Sequence, residues 1–491
     1  MATEMKKRIS IDPITRLEGH GKIEIFLDDK GNVENAYFQI PEFRGFEKFC
    51  ENRPVEELPR IVCSICGVCP HAHHLAAVKA IDEIFGVEPT PTAKMLRELF
   101  YCAHMVHSHI AHFYALGGPD FVVGPEAPPA ERNVLGVINK VGTDIGLQVI
   151  KARSDAQRIQ EIIGGRRTHS VFGLPGGVSK AISKEEKAEI EEKAKGLVEF
   201  SKFTVKVLED IVLKNQDYLN LILSPHYTME SYYMGLVDQN NKVNFYDGLL
   251  RVVDPEGKET LKFAAKDYKE HIAEYVEKWT YLKMPYLKKI GWKGLTAGKD
   301  SGVYRVAPLA RLNAADGMAT PLAQAEYEKM FATLKKPAHH TLAMHWARVI
   351  ELVYAAERVL ELIQHPDITS PKVRNLPEKV VGEGVGVVEA PRGTLFHHYT
   401  TDEKGMVKTT NMIVATGNNY PAMCISVTDA AKGLIKNGEV REGLLNMVEM
   451  AFRAYDPCLG CATHTLPGEM PLEVNIRNPK GEIQDVLKRN M

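Results

Sequence analysis

Two Cys-x-x-Cys pairs stand near opposite ends of the chain, Cys66-Gly67-Val68-Cys69 and Cys458-Leu459-Gly460-Cys461. Sulfurs at i and i+3 can be presented to one ion, and thiolates select soft or borderline metals: zinc, iron, nickel, copper(I) or an iron–sulfur cluster. His73 follows the first pair; Asp456-Pro457 precedes the second and His464 follows it. Three readings of the four sulfurs compete. A structural zinc or iron site is the commonest use of two such pairs. A cubane cluster is suggested by Cys63, since Cys63-x-x-Cys66-x-x-Cys69 is similar to the front of a ferredoxin run. A redox-active metal centre is the third. Structural zinc pairs usually share one small module, whereas here nearly the whole chain lies between them. Neither Asp456 nor His464 is needed by a zinc knuckle. Spacing leaves all three open, with catalysis slightly ahead.

Such pairs can meet only if the whole fold brings them together, and 491 residues are ample for a large core. A formal net charge of −2 and no long basic run exclude nucleic acid as an expected partner. Mean hydropathy is −0.20, and no apolar run is long enough to span a bilayer. The N-terminal residues lack the apolar stretch of a secretory signal. Eight cysteines are too few for a disulfide scaffold in a chain of this length, and their clustering points to metal binding in a reducing compartment. Cys50, Cys102 and Cys424 are scattered and read as buried, inert thiols.

The elements that position these residues follow from periodicity. Alternation over 21–27 and 33–40, around turn residues 28–31, predicts a β-hairpin. Helices are predicted over 73–85, 92–116, 137–163 and from 184 to about 215, the last opened by a capping box at Ser183. Pro119-Asp120 is expected to end the second and Gly164-Gly165 the third. His104, His107, His109 and His112 lie at helical spacing and read as core residues, not ligands. A hairpin is expected around 238–241, helices over 321–334 and 338–364, and strands over 384–389, 395–399 and 407–414. A helix from 428 to 455 delivers the second cysteine pair, and 470–487 reads as a hairpin. No repeat or linker divides the chain. We expect a mainly α, α+β fold with small β elements in a single large helix-dominated domain. Two arginine–glutamate pairs, Arg16/Glu18 and Arg44/Glu47, read as surface salt bridges on residue type alone.

The combination of motifs resembles the large, catalytic subunit of nickel–iron hydrogenases, a likeness that spans both ends and several stretches between. The family carries Arg-Gly-x-Glu, a fixed gap and Cys-Gly-x-Cys; here Arg44-Gly45-Phe46-Glu47 precedes Cys66-Gly67-Val68-Cys69 at that distance. The C-terminal signature Asp-Pro-Cys-x-x-Cys-x-x-His is complete at 456–464. In this register Cys63 falls outside the ligand set. One departure is Ser64, where the family usually has arginine, with Arg60 displaced upstream.

The resemblance implies that Cys66, Cys69, Cys458 and Cys461 hold nickel. Cys69 and Cys461 would bridge to an iron carrying carbon monoxide and cyanide. The implied reaction is reversible heterolysis of dihydrogen, with the proton passing to a nearby base. Glu18 matches the proton-relay glutamate, and Arg392 the arginine over the open metal position. Thr416 matches a hydroxyl near cyanide, in a segment, Ala415-Thr416-Gly417-Asn418-Asn419, where the commoner family pattern has proline and tryptophan. Asp120 matches an acidic residue that pairs with the arginine. Glu47 and His464 match ligands of a second metal, magnesium or iron. His464 also marks where a maturation protease cuts. The resemblance thus divides the chain into residues 1–464 and an extension, 465–491, that is removed in active enzyme.

So few cysteines cannot carry an electron relay, so a small subunit with iron–sulfur clusters is the implied partner. The chain resembles the cytoplasmic group, nearest the methyl-viologen-reducing type that works with heterodisulfide reductase. Deazaflavin (F420)-reducing and NAD(P)-coupled types are alternatives. A dihydrogen sensor would keep the same ligands. The non-catalytic hydrogenase-like subunit of respiratory complex I lacks the four cysteines present here.

Overall fold

The computed structural model describes residues 8–42, 44–463 and 472–489. About 48% of the chain is helical against 19% strand, the helix-dominated α+β arrangement read from the sequence. Helix Pro91–Ala111 packs between Met344–Gln364 and Thr143–Gly164, and Lys184–Leu208 packs on Met344–Gln364. Leu96, Leu99, Phe100, Ala103 and Val106, spaced at three and four residues, are fully buried along the first of these. Pro91 sits at its first turn, where a missing N–H costs nothing, and Thr90 caps Ala93 N at 3.2 Å. The capping box at Ser183 is formed: its hydroxyl accepts from Glu186 N at 3.1 Å, and the Glu186 carboxylate accepts from Ser183 N at 2.9 Å.

Three helical expectations need correction. Pro119 does not end its helix. A π-turn over His112–Gly117 leads into Gly118–Val122, where the proline again falls in a first turn. The 137–163 segment is two helices, Val134–Val141 and Thr143–Gly164, parted at Gly142 with φ 93°. The 428–455 segment is also two, Ala415–Leu434 and Glu442–Arg453, divided where Asn437 and Gly438 take φ 53° and 73°. The first starts well before residue 428 because Asn418 and Asn419, ordinarily helix competitors, bond their side chains to distant backbone and leave their own ladder alone.

The sheets are small. The N-terminal hairpin Lys22–Leu27 with Val33–Gln39 is present, and Arg8–Ile11, not expected, adds a third antiparallel strand. Residues 238–241 form a turn, but the main ladder partner of Tyr232–Val237 is Leu249–Val253, within a four-stranded sheet. Glu383–Ala390, Gly393–Thr401 and Val407–Ile413 form an antiparallel meander in which Ala390 pairs with Gly393, so Pro391-Arg392 is a two-residue turn. Helix Pro70–Ile84 lies across this meander. The hairpin of the last segment pairs Leu472–Arg477 with Ile483–Arg489.

One continuous apolar core runs from Ile14 and Ile23 to Leu459 and Ala462, so both chain ends belong to the same body. Backbone contacts join them directly. Leu459 N donates to Glu18 O at 2.9 Å, and Arg44 N donates to Thr463 O at 2.7 Å.

Candidate metal centre

The four cysteines arrive from two arms. Cys66 ends a short 3-10 turn over Val62–Ile65 in extended conformation, and Cys69 is the N-cap of Pro70–Ile84. Cys458 is the N-cap of the short helix Leu459–Ala462, which contains Cys461. The arms interleave. Cys66 Sγ lies 3.1 Å from Cys458 Sγ, Cys69 Sγ 3.1 Å from Cys461 Sγ, and Cys458 Sγ 2.9 Å from Cys461 Sγ. All four sulfurs fall within 4.8 Å of one another, and none of the residues is more than 4% exposed. Disulfide bonds of about 2.05 Å are excluded at these separations.

The electrostatics fit a cation at their centre. Hydrogen bonds from Cys458, Cys461 and Cys69 pull the Cys66 thiol well below its ordinary range. Burial pushes Cys458 and Cys461 well above theirs. Four adjacent buried thiols can all ionise only around a positive charge, and a compact all-sulfur donor set suits a soft or borderline metal such as zinc, iron or nickel rather than a hard cation. Cys63 is outside the quartet. Its sulfur donates to Pro59 O at 3.2 Å, and burial lifts its pKa to about 12. Cys50, Cys102 and Cys424 are likewise buried, with their thiols raised by burial.

Glu18 does not pair with Arg16. Its Oε2 lies 2.9 Å from Cys458 Sγ and accepts from Gly460 N at 2.9 Å. A Cβ at Gly460 would come within 2.7 Å of Glu18 Oε1 and 3.0 Å of Arg44 Nη1, so a side chain there would shift both of these groups. Arg44 does not pair with Glu47 either. It donates to the carbonyls of Ile65 at 2.6 Å, Gly460 at 3.0 Å and Ser64 at 3.3 Å, tying both cysteine arms together.

Arg392 extends from its two-residue turn toward the thiolates and is 3% exposed. Although burial opposes its charge, Asp456 and the sulfurs of Cys458, Cys69 and Cys66 hold its pKa well above the ordinary value. Nη2 donates to Asp456 Oδ1 at 3.1 Å, while Nε and Nη1 have no partner among the described residues, nor has Asp456 Oδ2. Orphaned buried donors beside a sulfur cluster fit a bound group bearing acceptors. Asp456 adopts φ 58°, a left-handed backbone that aspartate tolerates, and burial raises its pKa against the pull of Arg392 and Arg348. Thr416 Oγ1 accepts from Cys458 N at 3.0 Å.

The expected pairing of Asp120 with Arg392 is not formed. Asp120 bonds Arg16 at 2.5 Å and Arg453 at 2.8 Å, all three side chains being nearly buried. Asp456, two residues before Cys458, already lies against the guanidinium, while Asp120 faces the helix that carries Arg453. Glu47 accepts from Met412 N at 2.7 Å. His464 lies outside the described residues. Two neighbours that the sequence marked only as flanking the cysteine pairs have contacts it did not reveal. His73 Nε2 approaches Cys461 Sγ at 3.4 Å and its Nδ1 approaches His397 Nε2 at 3.0 Å, with Tyr399 beyond. The signal was its place four residues after Cys69, one helical turn along. Asp456 carried no signal for its ion pair beyond adjacency to Cys458.

Comparison with known proteins agrees with this geometry. The nickel-dependent hydrogenase family matches residues 44–133 and 136–464, and a HoxL-like family matches 8–43. The chain is 53% identical, over 97% of its length and 98% of the relative's, to a protein of Archaeoglobus profundus named as an iron-sulfur subunit of F420-non-reducing hydrogenase. It is 37% identical to the NAD-reducing hydrogenase HoxS subunit beta of Cupriavidus necator, over 98% and 99% of the two chains. A crystal structure of an NAD+-reducing [NiFe]-hydrogenase in the H2-reduced state superposes with a TM-score of 0.87 at 36% identity, covering 93% of this chain and 99% of that one. Four converging buried thiolates and a family match over almost the whole chain lead to one conclusion: this protein belongs to the nickel-dependent hydrogenase large-subunit family, whose members are oxidoreductases.

Proposed function

We propose that this chain cleaves dihydrogen heterolytically and reversibly at a nickel–iron centre. Cys66, Cys69, Cys458 and Cys461 would hold nickel, and Cys69 and Cys461 would also serve an iron with carbon monoxide and cyanide ligands. When bound, that centre supplies the two-electron chemistry of the reaction. The observation that carries the proposal is the quartet of buried sulfurs with Glu18 at 2.9 Å from one of them.

The chain's own groups have distinct tasks. Glu18 takes a proton from Cys458 Sγ, and its bond from Gly460 N keeps the receiving oxygen in place. Arg392 would offer its unpartnered Nε and Nη1 to acceptor atoms of the bound centre, cyanide among them. Its high pKa makes it a donor rather than a base. Thr416, whose oxygen already accepts from Cys458 N, would have its O–H available to donate to a cyanide of that centre. Asp120 pairs with Arg16 and Arg453, and Glu449 shares the charge of Arg453. Glu47 and His464 bind a second ion, magnesium or iron, and a maturation protease removes residues 465–491 after His464.

Electrons leave to an iron–sulfur small subunit. In support, Ser64 and Gly67, close to Cys66 in the chain, are exposed, as is Arg44, which bonds the carbonyl of Ile65. We infer a heterodisulfide reductase-type acceptor from the resemblance to the methyl-viologen-reducing type; the chain is more similar to the relative named F420-non-reducing than to the NAD-reducing one. The latter keeps an NAD(P)-coupled enzyme as the second reading. Eight free cysteines suit a cytoplasmic complex, and among the described residues no helix is long and apolar enough to cross a membrane.

The test is a single preparation of the assembled complex. It should contain nickel and iron, show infrared bands of carbonyl and cyanide, reduce viologen with dihydrogen, and yield a large subunit whose intact mass ends at His464. Zinc in place of nickel, or a spectrum without those bands, overturns the reading. An active, nickel-loaded large subunit ending at Met491 overturns the processing.

A further inference from the structure

The turn that carries Arg392 is held by an unusual number of side chains from elsewhere. Asn419 Nδ2 donates to Arg392 O at 2.8 Å, while its Oδ1 accepts from Val306 N at 2.9 Å. Asn418 Nδ2 donates to Thr394 O at 2.8 Å, and its Oδ1 accepts from the Tyr304 hydroxyl. From the opposite side, Arg311 donates to Ala390 O at 2.8 Å and to Pro391 O at 3.3 Å. Arg311 is itself fixed by Glu351, through bonds of 2.6 and 2.5 Å, and by Glu389 at 3.1 Å. Asn418, Asn419 and Arg311 are buried to within 1% of complete exclusion from solvent.

A two-residue hairpin turn at a surface needs none of this, since water serves its carbonyls. Here the turn is buried, and the carbonyls of Ala390, Pro391, Arg392 and Thr394 each take an N–H from Arg311 or from one of two asparagines on helix Ala415–Leu434. The same helix presents Thr416 to Cys458 N. Its first turns therefore set the backbone of Arg392 and the backbone of a nickel-binding cysteine in one frame. A guanidinium with two unpartnered nitrogens has no strong tether of its own beyond Asp456, so its position depends on its backbone.

We propose that Asn419, assisted by Asn418 and Arg311, is a positioning residue that fixes the Arg392 guanidinium over the metal centre. The proposal rests on the nickel–iron reading above. It also gives a use to Asn418 and Asn419, which lie in the segment that departs from the commoner family pattern.

The test compares Asn419→Asp and Arg311→Lys with the unmodified holoenzyme. Aspartate keeps an acceptor for Val306 N but loses the N–H given to Arg392 O. Lysine keeps a cation between Glu351 and Glu389 but cannot serve both carboxylates and both carbonyls. In each variant nickel and iron should stay at the unmodified level, the cyanide stretching bands should move, and kcat should fall about 10- to 100-fold with KM little changed. If Arg311→Lys does not assemble, Asn419→Asp decides alone. Unmoved bands with full turnover overturn the proposal. So does activity lost only in proportion to nickel, which is the mark of a merely structural role. Absence of carbonyl and cyanide bands from the unmodified holoenzyme removes the functional reading and this proposal together, whereas bands present but unmoved in the variants remove this proposal alone.

Discussion

Glu18 and Cys458 meet at 2.9 Å across a bridge between the two ends of the chain, and the same carboxylate oxygen accepts from Gly460 N. Replacing Glu18 with glutamine preserves shape and can still accept from that N–H, but an amide cannot take up a proton at neutral pH. Glu18→Gln should therefore keep its nickel and lose H/D exchange by about 10²-fold or more. Exchange at the unmodified rate would reject Glu18 as the relay. At this scale motif and register were informative. The four cysteines and Glu18 could be nominated from spacing and family likeness, because ligand chemistry restricts residue type. The ion pairs could not. Arg392–Asp456 and Asp120–Arg16 depend on which side chains face one another across the core, and local sequence carries no record of that.

Helix Pro70–Ile84 lies so close on the strand Glu383–Ala390 that a Cβ at Gly386 would stand 1.9 Å from Ala76 O. Only glycine fits between these two backbones. Gly386→Ala should push the helix off the sheet, at about 1–3 kcal/mol, and carry Cys69 and His73 with it. The expected readout is a lower melting temperature together with reduced nickel occupancy. A variant with unchanged values of both would show that the contact is not limiting. Strands with clean alternation, such as Lys22–Leu27 and Val33–Gln39, were legible from the sequence because one face is buried and the other is less so. Helix Ala415–Leu434 was legible only from residue 428 onward. Asn418, Asn419 and Pro421 argue against helix locally, and tertiary bonds from the two asparagines override that preference.

Across the molecule, a population of buried neutral histidines makes stability depend on pH. Burial lowers His74 and His109 to about 4 and His107 and His345 to about 3. His74 shows why protonation is resisted: Nδ1 donates to Pro59 O, while Nε2 accepts from Phe172 N and Gly173 N, so a second ring proton would face two donors. These folded values lie below the unfolded value of about 6.5. The unfolded chain therefore binds more protons once the pH falls under about 6.5, and stability decreases from there down to the folded pKa values. For His74 and His109 the loss is about 2 kcal/mol each at pH 5. The melting temperature should drop clearly between pH 7 and pH 5, and less steeply in a His74→Gln variant. A flat profile over that interval would contradict the assignment of neutral buried imidazoles.

By itself, the sequence determined the kind of site and the kind of fold. Two thiolate pairs admit few metals, alternation and helical spacing declare their elements wherever burial is one-sided, and a capping box marks a helix start through its own atoms. Only the tertiary structure decided which groups surround the sulfurs. Arms from Cys66 and Cys458 interleave because both chain ends share one core, and Asp456 takes the place expected of Asp120 because it already lies against Arg392. Asparagines that look like helix breakers become clamps on the buried turn of Arg392. Each of these is a contact between residues distant in sequence, and its energy comes from burial and hydrogen-bond pairing that exist only once the chain has closed on itself.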